Sequence, residues 1–389
     1  MSRCAKHLLA ICLVLSWVPA SQAEMGVTAT EIVFGQSACF SGPSKNLGVY
    51  YRAGILAAFE EQNNQGGIQG RLLKLSSVDD AYEPELAAEN AAKFVADDNV
   101  LAVIGGVGTP TAKRIAPVLK TAGIPFVGPF TGADFLRDAE QFPNVINLRA
   151  GYLDETRKLV EHIINDLGQN RLGIIYQDDA FGRSVLRNYK NVLEELDIPI
   201  LAKASFSRNT HAVHAALFAL SKADLDAILI VGTYASNSEI INLADYLGHN
   251  YIIANLSFVL SHELEKRINN PTDRIIVTEV VPDAMDTSRP IVHRFHQARE
   301  SQYNALGTQP TAQDFNEVSL EGYILGRFVI NVLERMDNTF TRENFMAQAL
   351  SPQSVALDDW ILEFEPGTNT GSHYVRMIDL GGHNDTSEE

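Results

Sequence analysis

The feature that most constrains this chain is a regular alternation of short apolar runs with amphipathic segments. Residues 31–38 and 100–105 have the apolar character of buried strands, and the segments that follow them, 47–63 and 109–122, have the period of amphipathic helices. Strands this uniformly apolar are typical of a parallel sheet covered by helices on both faces. A second series of such units begins after residue 148. The alternation therefore predicts an α/β protein built as two parallel-sheet lobes.

The last third of the chain differs from both series. A strand is predicted at 275–281, and long helical patterns follow at 290–303 and 316–335. Residues 360–365 and 373–380 are predicted to pair as a terminal hairpin across the Pro and Gly residues between them. This region is therefore expected to be more than a simple extension of either lobe.

The balance of charge limits the possible partners. The 389 residues carry a formal net charge of −17, with 31 Lys and Arg against 48 Asp and Glu. Proteins that bind nucleic acid through its phosphates need a basic surface, so we expect no nucleic-acid partner. The length is sufficient for two domains that each bury a core of their own.

The first 23 residues have the parts of a secretory signal peptide. Arg3 and Lys6 precede an apolar run at 8–18, and small residues follow it as far as Ala23. The run is too short to cross a bilayer as a permanent anchor. We therefore expect cleavage after Ala23 and a mature chain outside the cytoplasm. A lipoprotein signal at Cys12 is the alternative, which the bulky residue before that cysteine disfavours.

Residues 103–111, VIGGVGTPT, place a glycine-rich turn between a predicted strand and a predicted helix. A dinucleotide-binding turn needs a third glycine where Thr111 stands, and a P-loop needs a Gly-Lys-Ser/Thr sequence that is absent here. The N–H groups and the positive dipole end of the following helix favour an anion or a carbonyl oxygen, and Thr109 adds a hydroxyl. Local chemistry leaves two interpretations open: a ligand site, or a helix cap without a ligand.

No catalytic or metal-binding set is complete in the sequence. His262 and Glu263 begin a zinc-protease motif, but Lys266 stands where the second His should be. Cys39 is alone once the signal peptide is removed and has no base near it in sequence, so a buried structural role is expected. We therefore expect no enzyme activity, no metal and no cofactor. A secreted hydrolase whose residues meet only in space is the alternative.

Eight stretches stand in order along nearly the whole mature chain: GQSACFSGPSKNLG (35–48), NNQGGIQGRLLKL (63–75), DDAYEP (79–84), IGGVGTPTA (104–112), GIPFVGPFTGADFLR (123–137), NLRAGYLDE (147–155), QDDAFGRS (177–184) and SLEGYILGR (319–327). In this order they resemble the extracytoplasmic substrate-binding proteins of ABC transporters, of the leucine/isoleucine/valine-binding type with the class I periplasmic fold. The implied location is the periplasm. The implied partners are a small-molecule ligand and an ABC permease in the inner membrane.

The resemblance implies two Rossmann-like lobes joined by three crossover segments, with the ligand held between the lobes. We expect the crossings near 148–151, 278–282 and 355–360, so that the helices of the last third return to the first lobe and the tail returns to the second. The expected division is 1–23 as the signal peptide, 24–149 plus 281–357 as lobe 1, and 150–280 plus 358–389 as lobe 2.

The resemblance also implies a set of ligand-binding positions in turns that follow strands. Thr109 matches a hydroxyl that receives the ligand carboxylate, and 130–132 match a turn whose backbone carbonyl and N–H complete that pocket. Packing between the lobes is the alternative role for the aromatic members of the set. The full set is Ser41, Leu47, Thr109, Phe130, Thr131, Gly132, Tyr152, Asp179, Phe181, Tyr234 and Ser257.

Ser257 departs from the pattern of the amino-acid binders, which place an acidic residue there for the α-ammonium of the ligand. A buried ammonium without a carboxylate partner is costly. Unless Asp179 or Glu321 substitutes, we expect a ligand without a free α-amine: a small organic carboxylate, an amide or an aromatic acid. A branched-chain or other amino acid is the alternative ligand, and sensing for a membrane receptor is the alternative output.

Overall fold

The computed structural model describes residues 26–97, 99–351 and 353–381, so the predicted signal peptide lies outside the described residues. The strands are β1 (Glu31–Ala38), β2 (Leu72–Asp79), β3 (Ala102–Ile104), β4 (Phe126–Val127), β5 (Val145–Ile146), β6 (Leu172–Gln177), β7 (Ile200–Phe206), β8 (Ala227–Val231), β9 (Ile252–Asn255), β10 (Ile275–Glu279), β11 (Ser354–Leu357), β12 (Trp360–Glu363) and β13 (Arg376–Asp379). The α-helices are α1 (Lys45–Asn64), α2 (Pro84–Ala96), α3 (Thr109–Thr121), α4 (Tyr152–Glu161), α5 (Ala180–Glu195), α6 (His214–Leu220), α7 (Tyr234–Tyr246), α8 (Ser261–Glu265), α9 (Pro290–Ala305), α10 (Glu317–Arg335) and α11 (Arg342–Leu350).

Two sheets organise the chain. The first has the order β2-β1-β3-β4-β5, and each of its pairs is parallel. The second has the order β13-β10-β9-β8-β6-β7 and is parallel except where β13 runs against β10. Strands β3, β8 and β10 are buried along their whole length, as expected for strands covered on both faces. The predicted α/β fold is confirmed, and we call the units built on the two sheets lobe 1 and lobe 2.

Helix α10 returns the last third of the chain to lobe 1. It packs along α1, and the two backbones approach so closely that a Cβ placed on Gly54 would lie 1.9 Å from the carbonyl oxygen of Ser319. Only glycine fits at such an approach. Tyr323 reinforces the contact by donating a 2.7 Å hydrogen bond to Glu61. The long helical pattern predicted at 316–335 is therefore a core element of lobe 1.

The predicted terminal hairpin is wrong. Strand β12 pairs antiparallel with β11, and β13 pairs antiparallel with β10. The two-residue turn between β11 and β12 is made by Asp358, which adopts a positive φ of 57°, and Asp359. Asp tolerates this conformation in tight turns, but the Pro and Gly residues further along give a stronger turn signal. The Pro and Gly residues therefore favoured the wrong pairing of 360–365 with 373–380.

Three chain segments meet between the lobes, where Ala150, Val280 and Val375 form a small buried cluster. Next to it, Asn147 donates its backbone N–H to Asn369 at 2.7 Å and accepts from Gly371 at 2.8 Å. These contacts favour a third crossing at 371–375 over the expected 355–360. The division into lobes by residue number otherwise stays a prediction.

The parallel strands of both lobes direct their carboxyl ends toward the space between them, where ligands of open α/β sheets bind. Most of the predicted site residues stand directly after such strand ends or at the start of the next helix. They include Thr109 after β3, Phe130 after β4, Asp179 after β6, Tyr234 after β8 and Ser257 after β9.

Candidate functional site

Three hydroxyl groups form the polar end of the site. The Oγ1 atoms of Thr109 and Thr131 lie 2.7 Å apart, and the phenol oxygen of Tyr152 lies 3.4 Å from the first and 3.2 Å from the second. All three side chains are buried. Since Thr109 and Thr131 follow strands of lobe 1 and Tyr152 begins the first helix after the crossover, the cluster joins the two lobes.

The turn that presents Thr109 is held in place by backbone contacts and by one glycine. Gly108 donates to the carbonyl of Phe130 at 3.1 Å, and Phe130 donates to the carbonyl of Gly106 at 2.7 Å. Gly108 has a φ of +99°, and a Cβ on it would lie 2.2 Å from the ring of Tyr82. Only glycine satisfies both conditions. The turn therefore places the N-terminus of α3, with its positive dipole end, beside the hydroxyl cluster.

Two backbone carbonyls of the turn expected to complete this pocket already accept hydrogen bonds within the protein. The carbonyl of Phe130 accepts from Gly108, and the carbonyl of Gly132 accepts from Tyr152 at 2.8 Å. The hydroxyls and the helix terminus are therefore the main polar groups that this end of the site can offer.

An aromatic cluster forms the wall of the site. The ring of Phe258 lies at its centre, 4.7 Å from Phe181, 5.5 Å from Phe130 and 6.0 Å from Tyr82 between centroids. Tyr152 adds a further ring at 5.2 Å from Phe181. Because Tyr82 and Phe130 belong to lobe 1 while Phe181 and Phe258 belong to lobe 2, the wall closes as the lobes meet.

Charged groups stand at the hinge end of the site. The guanidinium of Arg149 donates from Nη2 to Ser257 Oγ, lies 4.3 Å from the ring centroid of Phe130, and has its Nε 3.7 Å from Glu321 Oε1. Burial, together with the negative charges of Glu155 and Glu317, raises the pKa of Glu321 to about 7, although Arg149 acts in the opposite direction. Despite its burial, the pKa of Arg149 is raised because Glu321 and Glu155 lie close.

Glu155 holds the Ser257 turn. Its Oε2 accepts from the backbone N–H of Ser257 at 2.8 Å and from the hydroxyl of Thr278 at 2.6 Å. All three residues are buried. Glu155 therefore fixes the backbone that places the Ser257 hydroxyl against Arg149.

Asp179 performs a structural task at the start of α5. It accepts from the backbone N–H groups of Phe181 and Gly182 at 2.9 and 3.4 Å, and from Gln177 at 2.6 Å. Arg208 approaches its second oxygen at 3.3 Å. The carboxylate that could have replaced an acidic residue at position 257 is thus engaged as a helix cap and an ion-pair partner.

The structure gathers Thr109, Phe130, Thr131, Tyr152 and Phe181 into one cluster, with Gly132 packed against Tyr152. Outside this cluster lie the other predicted residues: Ser41, Leu47, Asp179, Tyr234 and Ser257. Their ligand-binding roles stay predictions.

Two of the predicted residues outside the cluster, Ser41 and Leu47, belong to the first turn of lobe 1 and the start of α1. Ser41 is exposed and its backbone contacts Asp79, whereas Leu47 is buried in α1. Tyr234 accepts from the backbone N–H of Asn46 at 3.2 Å, so it contacts the start of α1. Ser44, which was not among the predicted residues, also reaches the other lobe, by a 3.2 Å hydrogen bond to Thr233.

Three further members of the site were missed from the sequence: Tyr82, Arg149 and Phe258. Tyr82 lies in DDAYEP and Arg149 in NLRAGYLDE, stretches that supported the resemblance. An arginine at the end of an apolar run was a usable signal, because arginine is rarely buried without a specific partner. Among the described residues, no group of three or more His, Cys, Asp or Glu side chains is placed to hold a metal ion. No helix in the same residues is long and apolar enough to cross a membrane.

Comparisons with known proteins agree with this geometry. The profile of a family described as periplasmic binding protein matches residues 31–377. The Leu/Ile/Val-binding protein homolog 7 of Brucella abortus is 28% identical over 241 residues, which is 60% of this chain and 58% of that protein. The match thus spans less than two thirds of that relative.

Solved structures cover more of the chain. A possible leucine/isoleucine/valine-binding protein from Rhodopirellula baltica SH 1 has a TM-score of 0.84 at 28% identity and covers 95% of this chain and 98% of its own. A substrate-binding periplasmic protein from Ralstonia solanacearum has a TM-score of 0.82 at 25% identity, with 90% and 98% covered.

Two α/β lobes that meet at a polar and aromatic cluster define a bilobed binding protein, and the class I fold implied by the resemblance is confirmed. The chain belongs to the periplasmic binding protein family. Its named relatives and structural neighbours are binding proteins rather than enzymes, among them a Leu/Ile/Val-binding protein homolog. The family name places its members in the periplasm.

Proposed function

We propose that this chain is a periplasmic receptor that captures a small organic solute between its lobes and delivers it to an ABC permease. The family and the two-lobed fold support capture, because hinge closure around a ligand is the working motion of such proteins. The cleft supports a small solute with an apolar body and at least one oxygen acceptor. Thr109 and the N-terminus of α3 receive that acceptor, and the rings around Phe258 cover the body.

The ligand we propose carries no free α-amine. The observation that supports this most is the contact between Ser257 and Arg149: the position that would need a carboxylate for an ammonium instead faces a guanidinium. Of the two possible substitutes, Asp179 is engaged as the cap of α5, and Glu321 lies 3.7 Å from the guanidinium of Arg149. An ammonium placed here would meet a buried positive charge, which favours a carboxylate, an amide or an aromatic acid.

A branched-chain amino acid is the second candidate ligand. It is favoured by the names of relatives that bind Leu, Ile or Val, and by a structural neighbour titled as a complex with isoleucine, whose 16% identity supports the fold alone. The two candidates differ in a single group, the α-ammonium. A screen that contains both classes separates them.

The experiment is a thermal-shift screen of the purified mature protein against amino acids, amides, aliphatic acids and aromatic carboxylates. A ligand at a hundred times its dissociation constant stabilises by about 2.7 kcal/mol, which raises the melting temperature by a few degrees. We expect an acid or amide without an amine to give this shift. Stabilisation by α-amino acids alone would favour the second candidate, an amino-acid ligand. If no class of compound stabilised the protein, the result would contradict solute capture at this site.

Matched threonine variants localise the effect. Thr109→Ala removes a buried hydroxyl of the cluster, and Thr121→Ala removes an exposed hydroxyl at the other end of the same helix. We expect the first to abolish the ligand-induced shift and the second to preserve it. Equal loss in both variants would mean that the ligand binds elsewhere.

A further inference from the structure

Arg149 is a deeply buried charged side chain of the candidate site, with 2% of its surface exposed. It contacts three different parts of the fold: Ser257 of lobe 2 by a hydrogen bond, the face of Phe130 in lobe 1, and Glu321 on α10. It therefore lies between the lobes, at the hinge end of the aromatic wall and opposite the closing surfaces.

Two nitrogens of this guanidinium have no hydrogen-bond partner among the described residues. Nε and Nη1 are both buried, and the nearest oxygen of Glu321 is 3.7 Å from Nε, beyond hydrogen-bond distance. Buried donors are nearly always paired in folded proteins. A charged guanidinium buried between the lobes with two free donors is therefore an incomplete contact, and an oxygen acceptor would complete it.

The shape and charge of the guanidinium indicate which acceptor fits. Its planar fork of N–H groups matches the two oxygens of a carboxylate, and such charge-assisted contacts are stronger than contacts to a neutral carbonyl. We propose that Arg149 binds a carboxylate of the captured solute, so that the receptor selects organic acids over their neutral amide counterparts. This inference rests on the proposed solute-binding function and narrows its ligand class.

The neighbouring carboxylates make the binding of an acid depend on a proton. Glu321 on α10 and Glu155 on α4 face Arg149, and Glu317 and Tyr51 lie near Glu321. Glu155 is held through its Oε2 by Ser257 and Thr278, although its Oε1 has no partner among the described residues. Glu321 faces the guanidinium without a hydrogen bond to it, so Glu321 is the group that must yield when a ligand carboxylate takes its place beside Arg149. Because the pKa of Glu321 is already about 7, the arriving anion drives it to take up a proton.

The test uses pairs of acids and amides of matched shape: acetate with acetamide, benzoate with benzamide, and hexanoate with hexanamide. Each is added at millimolar concentration at pH 6 to the full mature protein, and the melting temperature is recorded for the wild type and for Arg149→Gln. We expect at least one acid to stabilise the wild type by several degrees more than its amide. In Arg149→Gln this difference disappears, and in Arg149→Lys part of it remains.

Two results would overturn the inference: no acid exceeds its amide on the wild type, or the preference for acids survives in Arg149→Gln. Arg114→Gln, which changes an exposed arginine of lobe 1, is the control for loss of charge alone. The proposed function has a separate readout, since any solute whose stabilisation depends on Thr109 supports capture even if acids are not preferred. An acid that stabilises the protein in this test must also bind about tenfold more weakly per pH unit above 7. Glu321→Gln must reduce this pH dependence of binding.

Discussion

Arg208 of lobe 2 donates to Glu83 of lobe 1 across the mouth of the cleft, with 2.6 Å between Nη2 and Oε2. Asn209 adds a second contact to the same carboxylate at 2.7 Å. On the other side of the cleft, Ser44 and Thr233 are joined by a 3.2 Å hydrogen bond. Polar contacts thus connect the lobes on both sides of the site, and the described conformation is closed.

Loss of the Arg208 contact should shift the protein toward an open form. In Arg208→Ala, both the ion pair to Glu83 and the approach to Asp179 are removed. We expect a larger radius of gyration by small-angle X-ray scattering without ligand, because the closed state loses a contact that the open state never had. Arg114→Ala is the control, since its 2.6 Å pair with Glu85 lies within lobe 1. An equal radius of gyration in both variants would contradict a role of the Arg208–Glu83 contact in holding the lobes closed.

Gly108 should not tolerate a side chain. Alanine there combines a φ of +99° with a Cβ 2.2 Å from Tyr82, whereas alanine at Gly123 has a φ of +66° but nothing within 4 Å. We expect Gly123→Ala to cost about 1–2 kcal/mol from backbone conformation alone. Gly108→Ala should cost more and should also abolish ligand-induced stabilisation. Chemical denaturation measures both, and equal costs would mean that the close approach to Tyr82 is unimportant.

Phe258 should hold the aromatic wall together. Its ring contacts Phe181, Phe130 and Tyr82, and its side chain is fully buried. Phe258→Ala is expected to lower the free energy of unfolding by about 3–5 kcal/mol, the usual cost of truncating a buried Phe. Phe218→Ala, at a position 51% exposed, should change it far less. A cost for Phe258→Ala below that of the control would show that the wall does not stabilise the closed form.

The stability of the protein should fall as the pH rises toward 8. Ser261 donates from a single hydroxyl that lies 2.6 Å from Glu279 and 2.8 Å from Glu317, so its one proton cannot serve two charged carboxylates. Burial raises the pKa of Glu279 to about 7, although Arg376 acts in the opposite direction. The folded state therefore binds a proton that the unfolded state, with a Glu pKa of about 4.3, has already released.

The direction of this change in stability follows from the difference between the folded-state and the unfolded-state pKa of Glu279. The added stability is complete below about pH 4.3 and is lost as the pH rises through 7, by on the order of 4 kcal/mol for one such group. Urea denaturation between pH 5 and 8 measures it. Glu279→Gln should reduce the decline, while Glu365→Gln, an exposed change, should leave it intact. An increase in the free energy of unfolding between pH 5 and 8 would contradict the binding of this proton by the folded state.

The sequence was most informative where local pattern decides structure. Uniform apolar runs such as β8 predicted parallel strands, and the turn ending in Thr109 predicted a polar site at a strand end. The pairing of β12 with β11 could not be predicted, because a tight Asp358-Asp359 turn is a weaker signal than Pro and Gly. Phe258 could not be predicted for a different reason: its importance depends on which residues of the other lobe it meets, and no local pattern encodes that meeting. Arg149 carried a local signal, an arginine at the end of an apolar run, but its partner Ser257 could not be predicted from that signal.

The most direct measurement is to identify the small molecule that the protein carries when purified without unfolding from the periplasm of cells that make it. Heat releases the bound solute, mass spectrometry gives its composition, and an amine-reactive reagent reports whether it has a primary amine. We predict a carboxylic acid that does not react with the reagent, because an ammonium at Ser257 would meet the buried positive charge of Arg149. Recovery of leucine, isoleucine, valine or another α-amino acid would contradict the account.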